Sequence, residues 1–73
     1  MFLERLKILR QEKGKTQSEI AEMIGVKKLA YIHYEQGRRK LSADALIILA
    51  RYYDVTTDYL LGLTEERKPF PKK

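Results

Sequence analysis

The sequence predicts an all-α fold of five short helices packed as one compact domain. Apolar residues recur three and four positions apart through residues 1–63, cap residues and glycines punctuate those runs, and nowhere do apolar and polar residues alternate as a half-buried strand requires. Length sets the scale. A chain of 73 residues buries only about 60% of the surface it exposes when unfolded, so it can build one small core.

The first helix is expected from about Phe2 to Lys13, with Phe2, Leu6 and Leu9 along one stripe, Leu3 beside it, and Gly14 as its stop. A second helix opens at Thr16. Its hydroxyl can accept from the amide of Glu19 while the Glu19 carboxylate reaches back to the amide of Thr16, a capping box. Ile20 and Ile24, with Ala21 and Met23 beside them, give this helix its apolar side. Gly25 stops it, and Val26 stands where a residue folds back as a hydrophobic contact.

The third helix follows at once and ends at Gly37. Its apolar positions, Leu29, Ala30, Tyr31, Ile32 and Tyr34, are less regular. Tyr31 and Tyr34 share a face and are placed inward, leaving Lys27, Lys28, Leu29, Ile32 and His33 toward the outside. Ser42 introduces the fourth helix as N-cap, Asp44 suits its positive start, and Leu46, Leu49, Ala50 and Tyr53 make its inner face. The fifth is short. Thr56 or Thr57 caps it, Asp58 lies in its first turn, Leu60 and Leu61 supply its apolar content, and Gly62 closes it. Beyond Leu63 the run TEERKPFPKK holds two prolines and six charges, so residues 64–73 read as a flexible basic tail after a domain at residues 1–63.

Charge narrows the function. Fifteen Lys plus Arg against ten Asp plus Glu leave a net +5 and a pI near 9.6, as expected of a polyanion binder. The absence of cysteine removes disulfides and Cys-based zinc sites. A single histidine without clustered carboxylates lacks the ligand count for a metal, and no cofactor is expected. The longest apolar stretch, Ala45 to Ala50, falls far short of the roughly 20 residues of a membrane span, and the N-terminus has no apolar run of signal-peptide length. A cytoplasmic, nucleoid-associated protein is expected. Ser18, Ser42 and His33 form no triad that this helix pattern could assemble, and there is no phosphate-binding glycine loop, so no enzyme is expected. Of the five tyrosines, Tyr31, Tyr34 and Tyr53 fall at core spacing, which argues against a stacking platform for single strands.

The run from Thr16 to Gly37, TQSEIAEMIGVKKLAYIHYEQG, resembles the helix-turn-helix of the phage Cro and repressor family, the XRE-type regulators. Gln17, Ala21, Gly25, Val26, Tyr34, Glu35 and Gly37 stand where that pattern places such residues. The likeness extends from Phe2 and the LERLKILRQEKGKTQ that follows it to DYLLG at Asp58 to Gly62. It implies a lambda-repressor-like domain whose third helix reads DNA in the major groove. A helix entering the groove by its N-terminus shows its first two turns to base edges while neighbouring groups hold phosphates. The expected base readers are therefore Lys27, Lys28, Leu29, Ile32 and His33. Lys28 can donate to guanine O6 or N7, His33 to a guanine or a phosphate, and Leu29 can rest on a thymine methyl. Thr16, Gln17, Arg38, Arg39 and Lys40 are the expected phosphate contacts.

The chain departs from the family at several of these positions. Leu29 and Ile32 are apolar where polar residues are usual, Lys27 replaces the usual serine or threonine cap, and Lys15 replaces an apolar residue. The resemblance also implies that Arg10 pairs with Glu35 to tie the first helix to the third. The expected protein is a sequence-specific, double-stranded-DNA-binding transcriptional regulator, a repressor pairing as a homodimer on a palindromic operator. Tyr52, Tyr59, Leu60 and Leu63 are the residues expected at the dimer contact. An antitoxin that binds a toxin and represses its own operon, or a protein-interaction module retaining the fold, are the alternatives.

Overall fold

The computed structural model describes residues 3–67, and among them the five expected helices form: α1 (Glu4–Glu12), α2 (Gln17–Met23), α3 (Lys28–Glu35), α4 (Ala43–Tyr53) and α5 (Thr57–Leu60). Phe2, expected on the first apolar stripe, lies outside the described residues.

Local chemistry explains where each helix begins. The capping box of α2 is complete: Thr16 Oγ1 accepts from the Glu19 amide at 3.1 Å and Glu19 Oε1 from the Thr16 amide at 2.9 Å. That amide holds the Glu19 carboxyl below the usual carboxylate range. Ser42 caps α4 through the Ala45 amide at 3.1 Å, and Thr56 caps α5 through the Tyr59 amide at 2.9 Å. Thr56 is thus the cap of α5, with Thr57 its first helical residue. Lys27 occupies the N-cap of α3 with no side-chain hydrogen bond.

All five helices end in the same way. An amide bonds back five residues, from Lys15 to Arg10, Val26 to Ala21, Arg38 to His33, Val55 to Ala50 and Leu63 to Asp58. This is the Schellman closure, and it requires a left-handed residue just before the donor. At the α2–α3 turn that residue is Gly25, with φ +77°. After α4 it is Asp54, at φ 55°, a side-chain-bearing residue in a conformation that costs most L-residues about 1–2 kcal/mol.

The core gathers one side of every helix: Leu6 and Leu9 of α1, Ile20 and Ala21 of α2, Tyr31 and Tyr34 of α3, Leu49, Ala50 and Tyr53 of α4, then Val55 and Leu60. Ile24, Val26 and Leu46 pack against it half-buried. Met23 departs from the expected apolar side of α2 and is exposed. Leu60, expected at a dimer contact, is buried in the core instead, because the single turn of α5 packs against both α1 and α4.

Residues 64–67, at the start of the expected tail, contact the helical domain. The Arg5 guanidinium lies 4.1 Å from the centre of the Tyr59 ring, donates to the Tyr59 carbonyl at 2.8 Å and to the Thr64 carbonyl, and pairs with Glu65 at 3.1 Å. Arg67 pairs with Glu12, and its carbonyl accepts from the Thr56 amide at 3.3 Å. The remainder of the expected tail, residues 68–73, lies outside the described residues. Among the described residues no helix is long and apolar enough to cross a membrane.

The turn chemistry predicts opposite responses at two positions. A Cβ added at Gly25 meets nothing within 4 Å, so only its backbone angle opposes substitution. Gly25→Ala should cost about 1–2 kcal/mol, whereas Asp54→Gly should be neutral to stabilising by up to about 1 kcal/mol. Urea denaturation of both variants checks the pair; equal effects in the same direction would contradict the account.

Candidate nucleic-acid interface

Glu35 is the one buried charged residue among those described, at 7% exposure, and it lies in the last turn of α3. Arg10, near the end of α1, reaches it with two nitrogens: Nε donates to Oε2 at 2.7 Å and Nη2 to Oε1 at 3.4 Å. Gln17, the first residue of α2, adds its side-chain amide to the same carboxylate at 3.3 Å. The remaining terminal nitrogen of Arg10 donates to the Lys15 carbonyl at 3.0 Å. Three helices therefore meet at one carboxylate, and the loop between α1 and α2 holds the guanidinium that pairs with it. The hydrogen-bonded carboxylate raises the Arg10 guanidinium above its already high range. The expected Arg10–Glu35 pair is present, with Gln17 as a third member.

Two tyrosines lie beneath this pair. The Tyr31 and Tyr53 hydroxyls are buried without a hydrogen-bond partner among the described residues. Burial, reinforced by the Glu35 carboxylate, raises Tyr31 beyond the usual phenol range. Burial also pushes Tyr53 up to about 12.

Above this anchor the surface turns basic. Arg10, Gly14, Lys15, Thr16, Gln17, Ser18 and Lys28 line one shallow depression where the N-terminus of α2 meets the N-terminus of α3. Lys28 is thereby brought beside the expected phosphate contacts Thr16 and Gln17. The first amides of a helix have no partner within it. Those of Gln17 and Ser18 stay free of the capping box, which uses the Glu19 and Thr16 amides. A positively polarised helix start with unpaired donors favours an anion, and Lys15 and Lys28 add charge. Lys15 and Ser18 were not among the residues expected at the site. Their signal was position, one on each side of the Thr16–Gln17 helix start.

The other expected residues are distributed along α3 and beyond it. Lys27 and Lys28 are exposed, and Leu29 is 62% exposed, one of the largest uncovered apolar side chains among the described residues. Ile32 and His33, one turn on, are half-buried. Arg38, Arg39 and Lys40 are all exposed just after the α3 closure. The residues expected at a dimer contact differ in how far they are covered. Tyr52 lies with the Lys13 ammonium 5.2 Å from its ring centre, Tyr59 lies under Arg5, Leu60 is in the core, and only Leu63, at 73% exposure, is uncovered. Among the described residues no three His, Cys, Asp or Glu side chains are grouped to hold a metal.

Known proteins resemble this arrangement. The family profile described as helix-turn-helix matches residues 6–60. An uncharacterised helix-turn-helix transcriptional regulator of Bacillus subtilis, YobD, is 45% identical over 69 residues, covering 94% of this chain and 62% of that protein. The chain spans about 60% of the length of the curated relatives it matches. Among solved structures, a transcriptional regulator from Listeria innocua superimposes with a TM-score of 0.80 at 33% identity, over 90% of this chain and 62% of that one. The P22 c2 repressor, solved with a synthetic operator, shares the fold, with a TM-score of 0.77 at 23% identity over 88% of this chain and 98% of that one.

The buried pair predicts an asymmetry. Arg10→Met leaves the Glu35 carboxylate buried and unpaired and should cost about 3–5 kcal/mol, while Arg10→Met with Glu35→Leu should recover most of that loss. Urea denaturation of the two variants measures it, and a double variant no more stable than the single one would contradict it. The tyrosines predict an alkaline limit. Unfolded tyrosine ionises near pH 10, whereas folded Tyr53 holds its proton to about 12. Between these values the folded state binds the extra proton, so stability is full below about pH 10 and falls as pH rises toward about 12. The fall should be shallower in Tyr53→Phe. Identical slopes in the two proteins would contradict it.

Proposed function

The chain belongs to the helix-turn-helix family of the Cro and repressor (XRE) type, and on that premise we propose that it is a sequence-specific, double-stranded-DNA-binding transcriptional regulator. In this reading it is a repressor that occupies a palindromic operator as a homodimer and excludes polymerase. It works in the cytoplasm on nucleoid DNA. One observation carries the reading: the depression that joins the starts of α2 and α3, with free amides and Lys15 and Lys28 on its rim.

The proposed division of labour follows from exposure and charge. One DNA phosphate sits at the start of α2, on the Gln17 and Ser18 amides and the Thr16 side of the cap, with Lys15 adding charge. Arg38, Arg39 and Lys40 hold the same backbone farther along. Lys27, Lys28 and Leu29, in the first turn of α3, face base edges, with Lys28 donating to a guanine and Leu29 against a thymine methyl. Ile32 and His33 border that contact from the next turn. Gln17 has a double task, since one amide hydrogen is committed to Glu35. Its hold on α3 sets the distance between the phosphate grip and the reading turn.

Selection of bound duplexes from a random pool, followed by fluorescence polarisation, tests this. A symmetric preferred sequence is expected. Lys28→Ala should lower the preference for it by about 5–150-fold, the worth of one good base contact. Arg39→Ala should weaken every duplex alike and reduce the log–log salt slope by about 0.9. No preference over scrambled duplex, or two variants that bind as the wild type does, would contradict the reading. Binding to a protein that competes with DNA at Leu29 would favour the docking alternative.

A further inference from the structure

One apolar strip is left uncovered on α4. The inward side of this helix is Ala45, Leu49, Ala50 and Tyr53. The opposite side is Asp44, Ile47, Ile48 and Arg51, four residues that fall within about 100° of arc on a helix of 3.6 residues per turn. All four are exposed, with Ile47 at 46% and Ile48 at 39%. Among the described residues neither Asp44 nor Arg51 has an ion-pair partner. An acidic residue in the first turn and a basic one in the last suit the helix dipole. The dipole gives no reason for two adjacent β-branched apolar residues between them.

The strip is complementary to itself. Turning the helix end for end about a point midway between Ile47 and Ile48 exchanges Ile47 with Ile48 and Asp44 with Arg51. A two-fold contact has this property, since whatever residue one copy offers to a second must be answered by the reverse pair. We propose that a second copy of this chain docks on α4, helix antiparallel to helix. The isoleucines meet at the dyad, and an Asp44–Arg51 pair closes each end of the contact. An unrelated apolar partner would need the isoleucines but not this exchange of charges. The proposal rests on the homodimer reading above and gives it a face. Of the four residues expected at a dimer contact, Leu60 is buried, Tyr52 and Tyr59 lie under cations, and Leu63 is uncovered, with none of the end-for-end charge exchange that the α4 strip has.

Charge reversal on the full chain tests it by sedimentation equilibrium. The wild type should dimerise. Asp44→Arg alone sets arginine against arginine, and Arg51→Asp alone sets aspartate against aspartate, so each should weaken self-association by at least about tenfold. Mixed in equal amounts, the two variants should pair with each other, because every reversed residue then meets its opposite. Restored pairing on mixing cannot come from variants that fail to fold. A monomeric wild type, single variants that dimerise normally, or a mixture that stays monomeric would each overturn the proposal. Polarisation on a single half-site duplex separates this from the DNA reading. Half-site preference should persist in both variants if the α4 contact is right, and a change there would mean the strip serves DNA instead. Absence of that preference in a dimeric wild type would remove the DNA reading and leave the α4 contact standing.

Discussion

The placement of α3, the helix proposed to read DNA, depends on one buried ion pair, Arg10 with Glu35. The α2–α3 turn is locally determined, by Gly25 and by the bond from Val26 back to Ala21. That turn sets the angle of two helices to each other and says nothing of how the pair sits on the rest of the domain. An apolar interface would permit several nearly equal arrangements. The two-nitrogen grip of Arg10 on Glu35, with Gln17 on the same carboxylate and Arg10 also on the Lys15 carbonyl, permits one. Replacing such a pair by apolar residues is often stabilising, so its use here is direction rather than stability.

The consequence is that anchor and contact surface share residues. Arg10 and Gln17 hold Glu35 from below and line the depression at the helix starts from beside it. An anion drawn to the α2 start therefore meets groups whose positions are already determined by the core. The cost of ordering them is met during folding, which is how a domain this small can offer a preorganised grip. The same economy appears at the other end. Arg5 uses its guanidinium plane on Tyr59 and its hydrogens on the carbonyls of Tyr59 and Thr64, so a single side chain seats α5 and the four residues after it on α1.

Much of this was legible in the sequence because it is local. Thr16 with Glu19, Ser42, and the glycines each act within a few residues, and they place the helices to within a residue or two. What escaped is what acts across the chain. TEERKPFPKK reads as a tail when only its own prolines and charges are weighed, yet Arg5 binds the Thr64 carbonyl there, and a carbonyl carries no signature in sequence. Leu60 was assigned to an interface because a one-turn helix has too few residues to show periodicity. The exposed strip of α4 was hidden for the opposite reason. In ADALIILARYY nearly every position is apolar, so although spacing places Leu46, Leu49, Ala50 and Tyr53 inward, composition does not mark Ile47 and Ile48 as uncovered. The Arg10–Glu35 pair, lying 25 positions apart, was visible only through resemblance to a family and not through any spacing rule.

The central claim is that DNA is held where α2 and α3 begin. Titrating the isotope-labelled chain with a selected duplex, and following amide signals by nuclear magnetic resonance, addresses it residue by residue. The account predicts the largest shifts at Thr16, Gln17 and Ser18, at Lys27 to Leu29, and at Arg38 to Lys40, with Asp44 to Arg51 unmoved by a half-site. Shifts centred on α4 or α5, with the starts of α2 and α3 unchanged at saturation, would contradict it.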